Sequence, residues 1–300
     1  MSDANRKYQT GSVVSKDGTV IGYRQMGSGP SLIIVHGGLD AAQTHMKLGR
    51  LLSDKFTVYI PDRRGRGLSG PFGENYGLQR EVEDVEALLR RTGAQFLFGV
   101  SSGGLIILQS SLTLKDIHQI ALYEPLVYLN KSDMDRFNDI VRRFDEEVSE
   151  GKYVEAAVDI TKADVSSPIR RVPSFLLAIF FALVYWLDAV RVTGNDVPLK
   201  ALLPTLKFDV QLVNETQGRL DDFRNVPAEV LLLGGSKSGL QLKKSLDALN
   251  SILPHVHRIE LAGLDHKAAA NWAKPERITE ELLKFFPQLI MQDPLVTLHD

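Results

Sequence analysis

Gln95-Phe96-Leu97-Phe98-Gly99-Val100-Ser101-Ser102-Gly103, running on into Leu105-Ile106-Ile107-Leu108, is the stretch that decides the fold of this chain. Residues 95–98 read as a buried strand and residues 105–108 open a helical pattern. Between them stands G-x-S-x-G, a strand-to-helix turn too tight for side chains at its flanks. Gly99 and Gly103 supply the clearance, and Ser101 is left at the strand tip as a candidate nucleophile. A serine hydroxyl is almost fully protonated at neutral pH, so Ser101 needs a base. Ser102 is the weaker nucleophile candidate, but its backbone N–H is expected to face a developing oxyanion.

Outward from this turn, strands and helices alternate. Residues 12–14 and 19–24 flank Lys16-Asp17-Gly18, a hairpin signal. Residues 31–35 and 56–60 are continuous apolar runs, as expected of strands buried on both faces, with a helix over 41–52 between them. Residues 80–91 place Val82, Val85, Leu88 and Leu89 on one helical face, with acids early, bases late and Gly93 as C-cap. A further strand covers 119–123. The alternation then stops for about 100 residues of helical pattern, too long for a connection, and resumes at residues 228–233. A helix around 240–253, a strand at 256–261 and a last helix over 275–286 follow. The expected organisation is a core of residues 1–125 and 228–300 with a helical insertion over 126–227, built on a mostly parallel sheet covered by helices on both faces.

Composition removes several function classes. A net charge of −2 gives no electrostatic reason to expect nucleic acid or an anionic membrane surface. The absence of cysteine excludes a thiol nucleophile, disulfides and a Cys-ligated metal. No metal or cofactor is expected, and the polar start, Met1 to Lys7, lacks the apolar core of a signal peptide, so a cytoplasmic protein is expected. Residues 172–187 carry no charge over 16 positions, short of the ~20 that span hydrocarbon. They are expected to form a buried or pocket-lining helix rather than a membrane contact. The oligomeric state is left open.

With His36-Gly37-Gly38 after the third strand, Pro61-Asp62-Arg63-Arg64-Gly65-Arg66-Gly67-Leu68-Ser69 after the fourth, the Ser101 turn and a late histidine, the sequence resembles the α/β-hydrolase family. The resemblance implies the α/β-hydrolase fold, with the insertion as a helical cap over the active site. It singles out His266 among seven histidines as the base, since it lies beyond the last strand and ahead of the last helix. It implies a structural role for His36, and Gly38 as the second oxyanion donor beside Ser102. The arginine-rich turn reads as a solvated, architectural turn braced by Asp62 rather than an anion site.

The acid departs from the family's usual pattern. The loop after strand seven, Gly234-Gly235-Ser236-Lys237-Ser238-Gly239, holds no carboxylate. Strand six, however, ends in Tyr123-Glu124-Pro125, and zearalenone-lactone hydrolases and some haloalkane dehalogenases are similar in carrying a glutamate there. Glu124 is the leading candidate for the acid, ahead of Asp265 and then Asp221 or Asp222. The expected function is hydrolysis of a carboxylic ester or lactone of a lipophilic small molecule through an acyl-enzyme. Phe175, Leu176, Leu177, Phe180, Phe181, Tyr185 and Trp186 would line the site if they face it. The alternatives are an acyltransferase or cyclising/isomerising enzyme on the same scaffold, and a non-catalytic ligand receptor.

Overall fold

The interior strands are apolar at successive positions because both faces of the sheet are covered. Ile33, Val35, Leu97, Ile120, Leu122, Val230 and Leu232 pack into one layer. Their alternating neighbours Leu32, Ile34, Phe96, Phe98, Ala121, Leu231 and Leu233 pack into the other. The computed structural model describes residues 8–163 and 168–286. The polar start and His299 lie outside the described residues.

The strands are β1 (Gln9–Val14), β2 (Val20–Met26), β3 (Ser31–Val35), β4 (Thr57–Pro61), β5 (Phe96–Val100), β6 (Gln119–Tyr123), β7 (Glu229–Gly235) and β8 (Val256–Leu261). They form one sheet in the order β1-β2-β4-β3-β5-β6-β7-β8. β1 with β2 and β2 with β4 are antiparallel; every other pair is parallel. This is the α/β-hydrolase fold expected above. Its helices divide between the faces: α2 (Leu78–Thr92), α3 (Ser102–Ser111) and α9 (Leu240–Ile252) contribute to the first layer. The second layer receives α1 (Met46–Leu52) and α10 (Pro275–Phe285). The helix expected over 41–52 divides into a short 3-10 turn at Ala42–His45 and α1.

The strand order reverses between β3 and β5, and in open parallel sheets ligands bind outside the carboxyl ends at such a switch point. His36-Gly37-Gly38 leaves β3 at that edge and Ser101 leaves β5. Glu124 leaves β6, and His266 follows β8. Between β6 and β7 run α4 (Lys131–Ser149), α5 (Tyr153–Ala163), α6 (Ser174–Arg191), α7 (Leu199–Leu202) and α8 (Leu206–Glu215). This insertion has its own apolar cluster, including Phe144, Ala157, Tyr185 and Val210, and Leu39 of the core packs against it.

α6 differs from expectation. Only Leu177 and Tyr185 of its side chains are buried, and Phe181 is packed inward against the insertion cluster. Phe175, Leu176, Phe180 and Trp186 are exposed, so they line no interior pocket. The hydropathy of α6 is uniform around the helix, which is why a run with no polar stripe could not tell burial from exposure.

Candidate active site

Ser101 takes φ 54° and ψ −121°, outside the regions a side chain ordinarily allows. Its N–H donates to the Tyr123 carbonyl at 2.9 Å and its carbonyl accepts from Leu105 N–H at 3.1 Å, which pins the turn from both sides. Crowding explains the flanking glycines: a Cβ at Gly103 would overlap the Val35 and His36 carbonyls. Gly37 is also near, though less crowded, since its Cβ would lie 3.0 Å from Ser101 Cβ. The Ser101 side chain makes no capping bond to α3, so the first amides of that helix face its N-terminus unclaimed by it.

Among the described residues four non-glycine residues have positive φ: Leu39, Asn75, Ser101 and Glu124. Three of the four lie at the carboxyl ends of β3, β5 and β6. Backbone strain of this kind costs on the order of 1–3 kcal/mol per residue and concentrates at functional sites.

Glu124 is fully buried and each of its oxygens has a donor. Oε1 accepts from Gly235 N–H at 2.6 Å, and Oε2 lies 2.7 Å from His266 Nδ1. The last residue of β7 therefore supplies an amide where the resemblance to the family leads one to expect a carboxylate just beyond that strand. With Nδ1 held by Glu124, Nε2 is the nitrogen of His266 left for a substrate or nucleophile, and the ring keeps 31% of its surface exposed. Tyr123 anchors the loop after β8 that carries His266, its hydroxyl donating to the Asp265 carbonyl at 2.6 Å. The other acid candidates are elsewhere. Asp265 is exposed, with Oδ1 accepting from Lys267 N–H at 3.0 Å. Asp221 is exposed and Asp222 half-buried, and they pair with Arg224 and Arg219.

His36 is buried, donating from Nδ1 to the Gly37 carbonyl at 2.9 Å and accepting Arg63 N–H at Nε2 at 3.1 Å. Accepting at Nε2 while donating from Nδ1 requires the neutral ring. Burial, reinforced by the Arg66 and Arg63 charges, holds its pKa well below the usual value. His36 thus braces the turn that carries Gly38. His118, His255 and His257 are exposed at the opposite, amino-terminal side of the sheet.

The arginine-rich turn corrects the sequence reading. Asp62 does brace it, accepting Ala42 N–H at 2.7 Å and Leu68 N–H at 3.0 Å. But the turn is not solvated: Arg63, Arg64 and Arg66 are all buried. Arg64 is held by Asp84 and Asp17, at 2.6 and 2.8 Å. Arg63 bonds Glu81 at 2.8 Å, and Arg63 and Arg66 each reach Asp209 of α8 at 2.6 Å.

Asp209 is the residue that sequence reasoning missed. Its Oδ1 also accepts the Ser102 hydroxyl at 2.8 Å, and its carboxylate lies 3.2 Å from where a Cβ on Gly38 would be. One carboxylate from the insertion is therefore lodged between the two candidate oxyanion loops. The available signal was a charge on an apolar face: Leu206, Asp209, Val210 and Val213 share one side of α8 and are all buried. An acid there requires a buried cation, and three were in the sequence.

Burial acts to raise the Asp209 pKa, yet the Arg66 and Arg63 charges outweigh it and hold the group below its ordinary value. A carboxylate whose folded pKa is depressed contributes its full stability above about pH 4, and loses it as pH falls through the folded pKa. Asp209→Asn is expected to cost ~3–5 kcal/mol, because it leaves buried Arg66 with no carboxylate partner and Arg63 with Glu81 alone. It should also flatten the decline of thermal stability below about pH 4. Urea unfolding and melting curves across pH measure both, and a loss under ~0.5 kcal/mol would show that the arginines find other partners.

Residues 32–281 match the alpha/beta hydrolase family. The chain is similar to a 2-(acetamidomethylene)succinate hydrolase of Mesorhizobium japonicum, 22% identical over 271 residues that cover 87% of this chain and 90% of that one. An alpha/beta hydrolase from Sphaerobacter thermophilus aligns in three dimensions with TM-score 0.72 and 26% identity, over 92% of this chain and 100% of the other. An esterase from a Rhodococcus species aligns with TM-score 0.69 at 19% identity, over 93% and 99%, which is a likeness of fold.

Proposed function

This chain belongs to the alpha/beta hydrolase family, and from that premise we propose that it is a serine hydrolase cleaving a carboxylic ester or lactone of a lipophilic small molecule. The observation that carries the reading is the pairing of buried Glu124 with part-exposed His266, 2.7 Å apart and with Glu124 fixed by Gly235 N–H, at the same carboxyl edge of the sheet as a strained serine. In this mechanism Ser101 Oγ attacks the carbonyl carbon while His266 Nε2 takes its proton. Glu124 holds the ring in the required tautomer and stabilises the imidazolium. The negative charge that develops on the carbonyl oxygen is met by the amides of Gly38 and Ser102. His266 then protonates the departing alcohol, and water, activated by the same ring, releases the acid from Ser101 and regenerates the hydroxyl.

An uncharged, lipophilic substrate is supported by two features. The apolar cluster of the insertion reaches Leu39, the residue next to Gly38. The cations nearest the elbow are matched in number by acids, Arg63 and Arg66 against Asp209 and Glu81. A fluorophosphonate probe is expected to add one phosphonyl group to the peptide containing Ser101, read by mass spectrometry. An unmodified elbow peptide would withdraw the reading. Free acid measured against transferred acyl product separates hydrolysis from acyl transfer.

A further inference from the structure

We propose that α6 is a lipid-docking helix, lying flat on a bilayer with its apolar face seated at the boundary between headgroups and acyl chains. Along about 27 Å of helix the solvent-facing side carries Phe175, Leu176, Ile179, Phe180, Leu183, Trp186 and Val190. Phe175, Ile179, Trp186 and Val190 expose 64%, 63%, 62% and 65% of their surface, so this is a continuous face and not scattered residues.

The charge pattern fits phosphate headgroups. Exposed Arg170 and Arg171 precede the helix and exposed Arg191 ends it. The acid within it, Asp188, is engaged, accepting Leu199 N–H at 2.6 Å. A helix with Trp, Phe and Leu on one side and arginines at its margins has the composition of an interfacial segment. It lies along a membrane and does not cross one, because both ends are fastened to the insertion: Lys162 Nζ donates to Ser174 Oγ at 2.8 Å, and Asp188 holds the start of α7.

A second copy of the chain fits this face less well. Protein interfaces carry about one hydrogen bond per 100–200 Å², and between the marginal arginines the exposed side chains from Phe175 to Val190 offer only the Trp186 indole N–H. Hydrocarbon asks for none. The inner side of α6, Phe181 and Tyr185, belongs to the apolar cluster that reaches Leu39. Docking would therefore set the candidate site next to the phase in which a lipophilic substrate is dissolved. The proposal does not depend on the chemistry assigned to Ser101.

The test uses the full chain carrying Trp272→Phe, which leaves Trp186 as the sole indole. Phosphatidylcholine vesicles, with and without a minority of phosphatidylglycerol, are expected to shift Trp186 emission to the blue, with tighter partition on the anionic vesicles. Lipids brominated in the acyl chain should quench it. Adding Ile179→Glu and Leu183→Glu should lower partition at least ~10-fold while circular dichroism and hydrolysis of a soluble ester stay unchanged. Ser101→Ala should bind vesicles as the parent does, which separates failure of docking from failure of the hydrolase reading. The proposal is overturned if neither vesicle produces partition or a shift. It is equally overturned if Trp186 is already blue-shifted without lipid in a particle of two chains that the glutamate pair splits into one, since the face is then covered by a second copy.

Discussion

Ser101→Ala is expected to lower kcat on an activated ester by at least ~10³-fold, with the fold and thermal stability retained. The change removes one oxygen from a half-exposed side chain that makes no capping bond, so little packing is lost. The backbone holding the turn, Ser101 N–H to Tyr123 and Leu105 N–H to Ser101, is untouched. The residual rate is expected to come from the Gly38 and Ser102 amides acting on bound substrate. Steady-state turnover of a p-nitrophenyl ester, beside a melting curve, measures both parts. Unchanged turnover would remove Ser101 from the chemistry, and with it the acyl-enzyme.

Glu124→Gln is expected to be nearly as severe, at ~10²–10⁴-fold in kcat, for a reason visible in the hydrogen bonds. Gly235 N–H can only donate, so the glutamine must turn its amide oxygen toward Gly235. That directs its NH2 at His266 Nδ1, which then has to be an acceptor, and the ring proton moves to Nε2. The histidine is left in the tautomer that cannot take a proton from Ser101, and an imidazolium would face a neutral partner. The comparison that decides the assignment is Asp265→Asn, whose carboxylate serves Lys267 N–H on the surface. If that variant is crippled and Glu124→Gln is not, the acid has been misassigned.

The sequence held what is local. Two glycines around a serine, between a strand run and a helix run, mark a turn that few other arrangements need. The pairing of Glu124 with His266 was legible once the family resemblance was in hand, because residues 234–239 lack the carboxylate it implies and an ionised group at a buried strand tip demands a partner. What escaped depends on distant pairing. Asp209 meets Arg63 across 146 residues, and no local pattern announces that a charged turn and an amphipathic helix will interlock. The exposure of α6 escaped for a related reason: its composition is that of a core helix, and only the finished packing shows which side is left uncovered.

The Asp209 contact also bears on exchange of parts between relatives. A chimera that takes the insertion of another family member onto this core would meet Arg63 and Arg66 already in place, aimed at a position on α8. Unless the donor segment brings an acid to that position, the graft seals Arg66 under the elbow without a counter-ion and leaves Arg63 with Glu81 alone. The insertion is therefore not a free module: its amino-acid choice at one helix position is coupled to the loop after β4, and the two must be transplanted, or evolve, together.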